Sequence, residues 1–205
     1  TLAAPLDARL GNTGSESGRS GLVRAVKFMK IGKSTIGPKA PPWMVAEMSG
    51  NHNQSLDRAL EIVAAAAEAG AHALKMQTYT ADTMTLDLDA PGFRIEDEQS
   101  LWHGRTLYEL YEEAHTPWEW HVPIMNRAKE LGMICFSTPF DETAVDFLEE
   151  LNVPAYKIAS FENTDMALIR KVAATGKPVL MSTGMATVEE LELSVRIARE
   201  AGCQD

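Results

Sequence analysis

Cysteine is scarce in this sequence. Only two occur, Cys135 inside an apolar run and Cys203 near the end. Neither their number nor their spacing suits a disulfide framework or a zinc cluster, so a reducing compartment, the cytoplasm, is the expected location. Basic residues are also few: 19 Lys and Arg stand against 29 Asp and Glu, for a formal net charge of −10. Phosphate backbones are gripped by clustered cations, so nucleic acid is not an expected partner. No apolar stretch approaches the roughly 20 residues that span a bilayer. The first residues lack the apolar core of a secretory signal, so neither membrane insertion nor export by that route is expected. What remains, 45% hydrophobic and 23% charged residues, is the composition of a soluble globular chain.

Residues 1–28 are rich in Gly, Ser and small side chains without sustained period and read as a flexible extension. Residues 29–42 alternate weakly and predict a short hairpin ahead of Pro41 and Pro42, with Met29 as a candidate true start. From residue 43 to residue 205 a unit recurs: a short apolar run, a polar turn, then a helical period closed by Gly. The runs predict strands over residues 44–48, 73–77, 133–137, 155–159 and 179–182. Ser55 is placed to cap a helix with Leu56, Ala59, Leu60 and Val63 on its apolar face and Gly70 past its end. Thr116 with Glu119 and Thr187 with Glu190 both fit the capping box, in which a hydroxyl and a carboxylate three residues apart satisfy backbone donors reciprocally. Pro117 suits a first helical position. Pro123 predicts a short turn and then a new helix starting near it, running to Leu131 and ended by Gly132. Later helices are expected over residues 142–151, 165–175 and 188–201.

Alternating strands and helices imply parallel pairing, in either a doubly wound sheet or a closed barrel. A doubly wound sheet places its ligand at one switch point, whereas every strand of a barrel ends at one shared mouth. Here each strand finishes with a chemically useful group: Glu47; Lys75 and Gln77; Ser137 and Thr138; Lys157 and Ser160; Ser182 and Thr183. That favours an α/β fold of the (β/α)8 TIM-barrel class. A closed barrel needs eight units over typically about 250 residues, so the chain reads as a partial barrel truncated after about five βα units. An unpaired edge and an uncovered interior are then expected.

Lys75 and Lys157 interrupt runs that otherwise read as buried strand, and an ammonium there is costly without an anion. Each lysine alone is equally well explained by a stem reaching to solvent. Two in comparable positions favour an anionic ligand. Gln77 follows Lys75 at the strand period and points to the same side. Ser160 and Ser182 are candidate hydroxyl donors to a phosphate, although serines after strands commonly serve turns. Glu47, at the head of the polar loop Ser49–Gly50–Asn51–His52–Asn53, can move a proton or orient a hydroxyl, or simply pair with a lysine. Glu162 is a second carboxylate candidate, with a helix-start role as its rival. His52 has no partner at ligand spacing, so a loop-stabilising hydrogen bond is the expectation. The aromatics from Trp102 to Tyr111 are read as packing a helix against the barrel rather than as a sugar platform.

Five separated motifs carry a resemblance that covers the chain from about Met29 onward. They are Ala46–Glu47–Met48–Ser49–Gly50–Asn51–His52–Asn53, Lys75–Met76–Gln77–Thr78, Ser137–Thr138–Pro139–Phe140, Pro154–Ala155–Tyr156–Lys157–Ile158–Ala159–Ser160, and Gly176–Lys177–Pro178 through Ser182–Thr183–Gly184–Met185. In order and spacing they resemble the N-acetylneuraminate and pseudaminate synthase (sialic acid synthase) family. The stretch from Trp102 to Tyr111, with Thr116 to His121, is similar to the pseudaminic acid branch. The resemblance implies condensation of phosphoenolpyruvate with the open-chain aldehyde of an N-acetylated sugar, a homodimer, and a divalent metal, Mn or Mg. It implies that Lys75, Lys157, Ser160 and Ser182 bind phosphoenolpyruvate, that Gln77 and Thr138 contact the sugar, and that Glu47 and Glu162 lie beside the reacting carbons. It places the metal-binding histidines, and a small antifreeze-like domain that lends an arginine to the partner's site, beyond residue 205, so this stretch alone is expected to be inactive. The alternatives are an N-acetylneuraminate or legionaminate synthase, a Schiff-base aldolase with Lys157 as the amine, and an inert partial barrel.

Overall fold

The computed structural model describes residues 28–204. The extension expected over residues 1–28 therefore falls almost wholly outside the described residues. Strands β1 (Met29–Ile31) and β2 (Ser34–Ile36) pair antiparallel, with Met29 opposite Ile36, and Gly32 takes the turn at φ +54°. There follow β3 (Val45–Glu47), α1 (Leu56–Glu68), β4 (Ala73–Thr78), α2 (Ala81–Met84), α3 (Leu107–Ala114), α4 (His121–Glu130) and β5 (Ile134–Pro139). The described chain closes with α5 (Glu142–Glu150), β6 (Tyr156–Ile158), α6 (Met166–Ala174), β7 (Val179–Met181) and α7 (Val188–Glu200).

The five later strands form one parallel sheet in the order β3-β4-β5-β6-β7. A doubly wound sheet reverses its strand order at a switch point; this order never reverses, which is the arrangement of consecutive barrel units. Side chains alternate across the strands. One face meets the helices: Leu74, Met76 and Cys135 pack with Ala59, Val63, Ile124 and Ala128. Farther along, Tyr156 and Ile158 pack with Leu148, Leu168, Val172 and Ile197. The other face is the barrel interior. Near the starts of the strands it is apolar, and Ile31 of the first hairpin plugs it against Ala73, Phe136 and Ala155. The hairpin thus closes the end opposite the strand tips. Among the described residues no helix is long and apolar enough to cross a membrane.

Local signals in the chain explain most element boundaries. Ser55 Oγ accepts from the Arg58 amide at 3.3 Å, and Gly70 lies past α1 at φ +84°. Thr187 and Glu190 cap α7 reciprocally. The other expected box does not form. Thr116 is buried and its hydroxyl meets His52 Nε2 at 3.1 Å, while Pro117 stands just before a single 3₁₀ turn, Trp118–Trp120, rather than inside a helix. A buried imidazole needs a partner more than an exposed helix end does. Helix α4 then starts at His121, so Pro123 sits in its first turn, where an amide has no intrahelical acceptor and its loss costs little.

Candidate active site

Strand alternation continues above the apolar plug, but the side chains become polar. Glu47 pairs in register with Lys75, and Gln77 with Thr138. Glu47 Oε2 lies 2.5 Å from Lys75 Nζ, the lysine side chain being 14% exposed and the glutamate 43%. One strand-pair farther round, Lys157 Nζ donates to Ser182 Oγ at 2.5 Å and to the Ile158 carbonyl at 2.6 Å. Those contacts use two of the three N–H donors that an ammonium carries. Ser49 Oγ donates to Gln77 Oε1 at 3.3 Å, tying the loop after β3 to the tip of β4.

The charges at this mouth act on one another. Burial pulls the Lys157 ammonium below its ordinary pKa, the positive charge of Lys75 pulls it further, and Glu47 and Glu162 oppose both. The structure therefore brings Lys75, Lys157, Glu47 and Glu162 into one electrostatic neighbourhood. Burial holds the Glu162 carboxyl above the usual carboxylate range, partly opposed by a hydrogen bond to backbone and by Lys157. Glu162 begins a 3₁₀ turn, Glu162–Thr164, after β6. Ser160 lies just before it, and a side chain on Gly184 would stand 2.9 Å from Ser160 Oγ, so the loops after β6 and β7 touch here.

Two oxygens at the mouth, Thr138 Oγ1 and Glu162 Oε2, are buried without a hydrogen-bond partner; the indole nitrogen of Trp43, which belongs to the apolar plug, is a third such atom. Each such atom costs on the order of 1–3 kcal/mol of desolvation. An unpartnered buried polar atom at a strand tip is a candidate contact for a polar ligand.

Not every strand-tip group joins the site. Ser137 faces the helices, 2.6 Å from Thr78 Oγ1, which in turn lies 2.8 Å from His121 Nε2. His52 is a loop-stabilising residue: beyond its contact with Thr116, its Nδ1 accepts from the Gln54 amide at 3.2 Å, and its ring meets Trp120 edge-on. In the stretch from Trp102 to Tyr111, Arg105 stacks on Trp102, and Tyr111 packs edge-on to Tyr79, which packs likewise on Phe140. Among the described residues no group of three or more His, Cys, Asp and Glu gathers as metal ligands.

Residues 62–205 match the NeuB family. The chain belongs to that family. This NeuB chain is 46% identical over 172 residues to the pseudaminic acid synthase of Campylobacter jejuni serotype O:2, a match covering 84% of the chain and 49% of that protein. It is 46% identical over 159 residues to the pseudaminic acid synthase of Helicobacter pylori, covering 78% of the chain and 46% of that protein. Among solved structures, the N-acetylneuraminic acid (sialic acid) synthetase of Leptospira borgpetersenii superposes with a TM-score of 0.74 at 26% identity, over 86% of the chain and 56% of that protein. The NeuB chain thus spans about half the length of the curated relatives it matches. Asn163, buried at 2% exposure beside Glu162, is among the residues here that no sequence motif singles out. Its position next to an expected site carboxylate was the available signal.

Proposed function

We propose that this stretch is the phosphoenolpyruvate-gripping half of a pseudaminic acid synthase. The whole protein condenses phosphoenolpyruvate with the open-chain aldehyde of an N-acetylated sugar, a 2,4-diacetamido-2,4,6-trideoxyhexose, giving a nonulosonic acid and phosphate. The observation that carries the reading is the pair Lys75 and Lys157 on the interior face of the strand tips, where the charge of Lys75 helps to lower the pKa of Lys157. Two ammonium groups so placed repel; Glu47, in contact with Lys75, offsets part of that repulsion, and an anionic ligand reaching both lysines would offset more. The high identity to pseudaminic acid synthases supports the choice of sugar.

In this reading Lys75, Lys157, Ser160 and Ser182 hold the carboxylate and phosphate of phosphoenolpyruvate, and Gln77 and Thr138 hold the sugar. C3 of phosphoenolpyruvate forms the new bond to the aldehyde carbon, and charge develops on the aldehyde oxygen. Glu162, whose burial favours the protonated form, donates a proton there. Water adds at C2 and gives one proton to Glu47; the tetrahedral centre then collapses to the ketone as the C2–O bond to phosphate breaks, the C2 hydroxyl proton leaving with the phosphate. Holding both reactants face to face supplies much of the rate. The divalent metal, Mn or Mg, the homodimer and the cytoplasmic location belong to the same reading; a metal held in the whole protein would supply Lewis-acid polarisation of the aldehyde.

Calorimetric titration of the chain with phosphoenolpyruvate, and phosphate release by the whole protein given the diacetamido sugar, test this. Binding with release supports it; release only with a different acetamido hexose moves the assignment to an N-acetylneuraminate or legionaminate synthase. The depressed Lys157 ammonium favours one rival, a Schiff-base aldolase, because a neutral amine is the nucleophile. Borohydride trapping with pyruvate decides: mass added at Lys157 defeats the phosphate role.

A further inference from the structure

Asn163 takes no direct part in the reaction outlined above, yet it is buried where the loops after β6 and β7 meet. Its side-chain amide donates to the carbonyls of Ser182 at 3.3 Å and Gly184 at 3.1 Å. Its own carbonyl lies 2.5 Å from Ser194 Oγ of α7, which is also 2.8 Å from the Glu190 carbonyl. On the other side, the Ser182 amide donates to the Ile158 carbonyl at 2.9 Å, and that same oxygen receives the Lys157 ammonium. Both backbone groups of Ser182 are therefore tied to the segment from Ile158 to Asn163. Its hydroxyl is thereby set on Lys157 Nζ.

The rest of the loop has little else to hold it. Thr183, Gly184 and Met185 are exposed, and Met185 takes φ +67°, a conformation that side chains seldom adopt without support. A Cβ at Gly184 would stand 2.9 Å from Ser160 Oγ, so that hydroxyl would have to shift to admit one. We infer that Asn163 is a positioning residue: its amide locks the β7 loop to the Glu162 turn, so that the Ser182 hydroxyl keeps its seat on Lys157 beside Ser160 and Glu162. The assignment of a ligand to those four rests on the proposed function, whereas the clamp itself does not.

The test is a cycle of Asn163→Ala and Ser182→Ala read two ways. Lysine labelled with ¹³C at Cε reports the titration of Lys157 without any ligand. Loss of the Ser182 acceptor lowers the Lys157 pKa, Asn163→Ala lowers it in the same direction, and the double variant adds nothing to Ser182→Ala. Phosphoenolpyruvate affinity, measured by calorimetry, falls about tenfold in Asn163→Ala but less than about twofold when Ser182 is already Ala, since residues acting through one contact are not additive. A folded Asn163→Ala with unchanged Lys157 titration overturns the inference. An equal loss of affinity in both backgrounds also overturns it, because a merely structural residue behaves that way. If Lys157 shifts as stated while the unsubstituted chain binds no phosphoenolpyruvate, the clamp stands and the proposed function falls. Should Asn163→Ala fail to fold, Ser194→Ala loosens the same residue through its carbonyl; a smaller shift of the same sign supports the clamp, and none overturns it.

Discussion

Acid is expected to loosen the seam between the sheet and α4, and His121 is the reason. The imidazole is fully buried, with Nδ1 3.4 Å from the Pro117 carbonyl and Nε2 at the Thr78 hydroxyl. A carbonyl only accepts, so Nδ1 carries the proton and Nε2 accepts from Thr78, whose oxygen accepts from Ser137. Burial pushes the pKa of His121 from 6.5 down to about 4, against weaker opposing contributions from the Pro117 and Trp118 backbone and from Glu119. The unfolded chain takes up this proton near pH 6.5 and the folded chain only near 4, so the unfolded state holds more protons across that window. The contribution is complete above pH 6.5 and is lost as pH falls to 4. At about 1.4 kcal/mol per pKa unit the loss amounts to about 3 kcal/mol. Urea unfolding followed by circular dichroism, from pH 7 to pH 4, compares the protein with His121→Phe. At pH 7 the variant is less stable by about 1 kcal/mol for its lost hydrogen bond. By pH 4 the difference has moved in the variant's favour by about 3 kcal/mol, and groups common to both proteins, His52 among them, cancel. Parallel stability curves across that range refute the argument.

Thr138→Val removes a buried hydroxyl that has no partner, so thermal unfolding should show a gain of about 1 kcal/mol in the free protein together with weaker sugar binding; a loss of stability means that the hydroxyl already has a role in the fold. Lys157→Met is expected to weaken phosphoenolpyruvate binding by about 10- to 100-fold, the worth of a charge-assisted hydrogen bond, and unchanged calorimetric affinity removes Lys157 from the site. Thr187→Ala breaks the capping box of α7 and should cost about 1 kcal/mol, read as a lower urea midpoint with phosphoenolpyruvate affinity intact. Tyr156→Phe deletes a hydroxyl that donates to Glu149 Oε1 at 2.6 Å beneath the Lys177 ion pair, a loss of about 1–2 kcal/mol that grows smaller when Glu149 is already Gln.

Much of this arrangement was legible because it depends on local chemistry. Lys75 and Gln77 share a face by strand period alone, and the structure puts both in the interior beside Glu47 and Thr138. The strands were placed to within a residue or two because their apolar runs are short and bounded by polar turns. The Thr106–Glu109 box that opens α3 obeys the same local pattern as the one at Thr187. Other features were not legible. Ser137 and Thr138 are adjacent at the tip of β5, and only the pairing of β5 with β4 decides that Thr138 enters the mouth while Ser137 meets Thr78 and His121. Thr116 matched a cap motif, but its hydroxyl was claimed by an imidazole 64 residues away. Asn163 is an ordinary turn residue until the loop after β7 is laid against it.

By itself the sequence determined the periods, caps and turns of the repeating βα unit, and with them the set of polar groups at the strand tips, because each follows from torsional preference and side-chain spacing over a few residues. The tertiary structure alone decided which of those groups share one neighbourhood: the pairing of Glu47 with Lys75, the seating of Lys157 on Ser182, the unpartnered oxygens of Thr138 and Glu162, and the clamp at Asn163. Those choices depend on contacts between residues far apart in the chain, where desolvation and charge act through space and leave no local pattern to read.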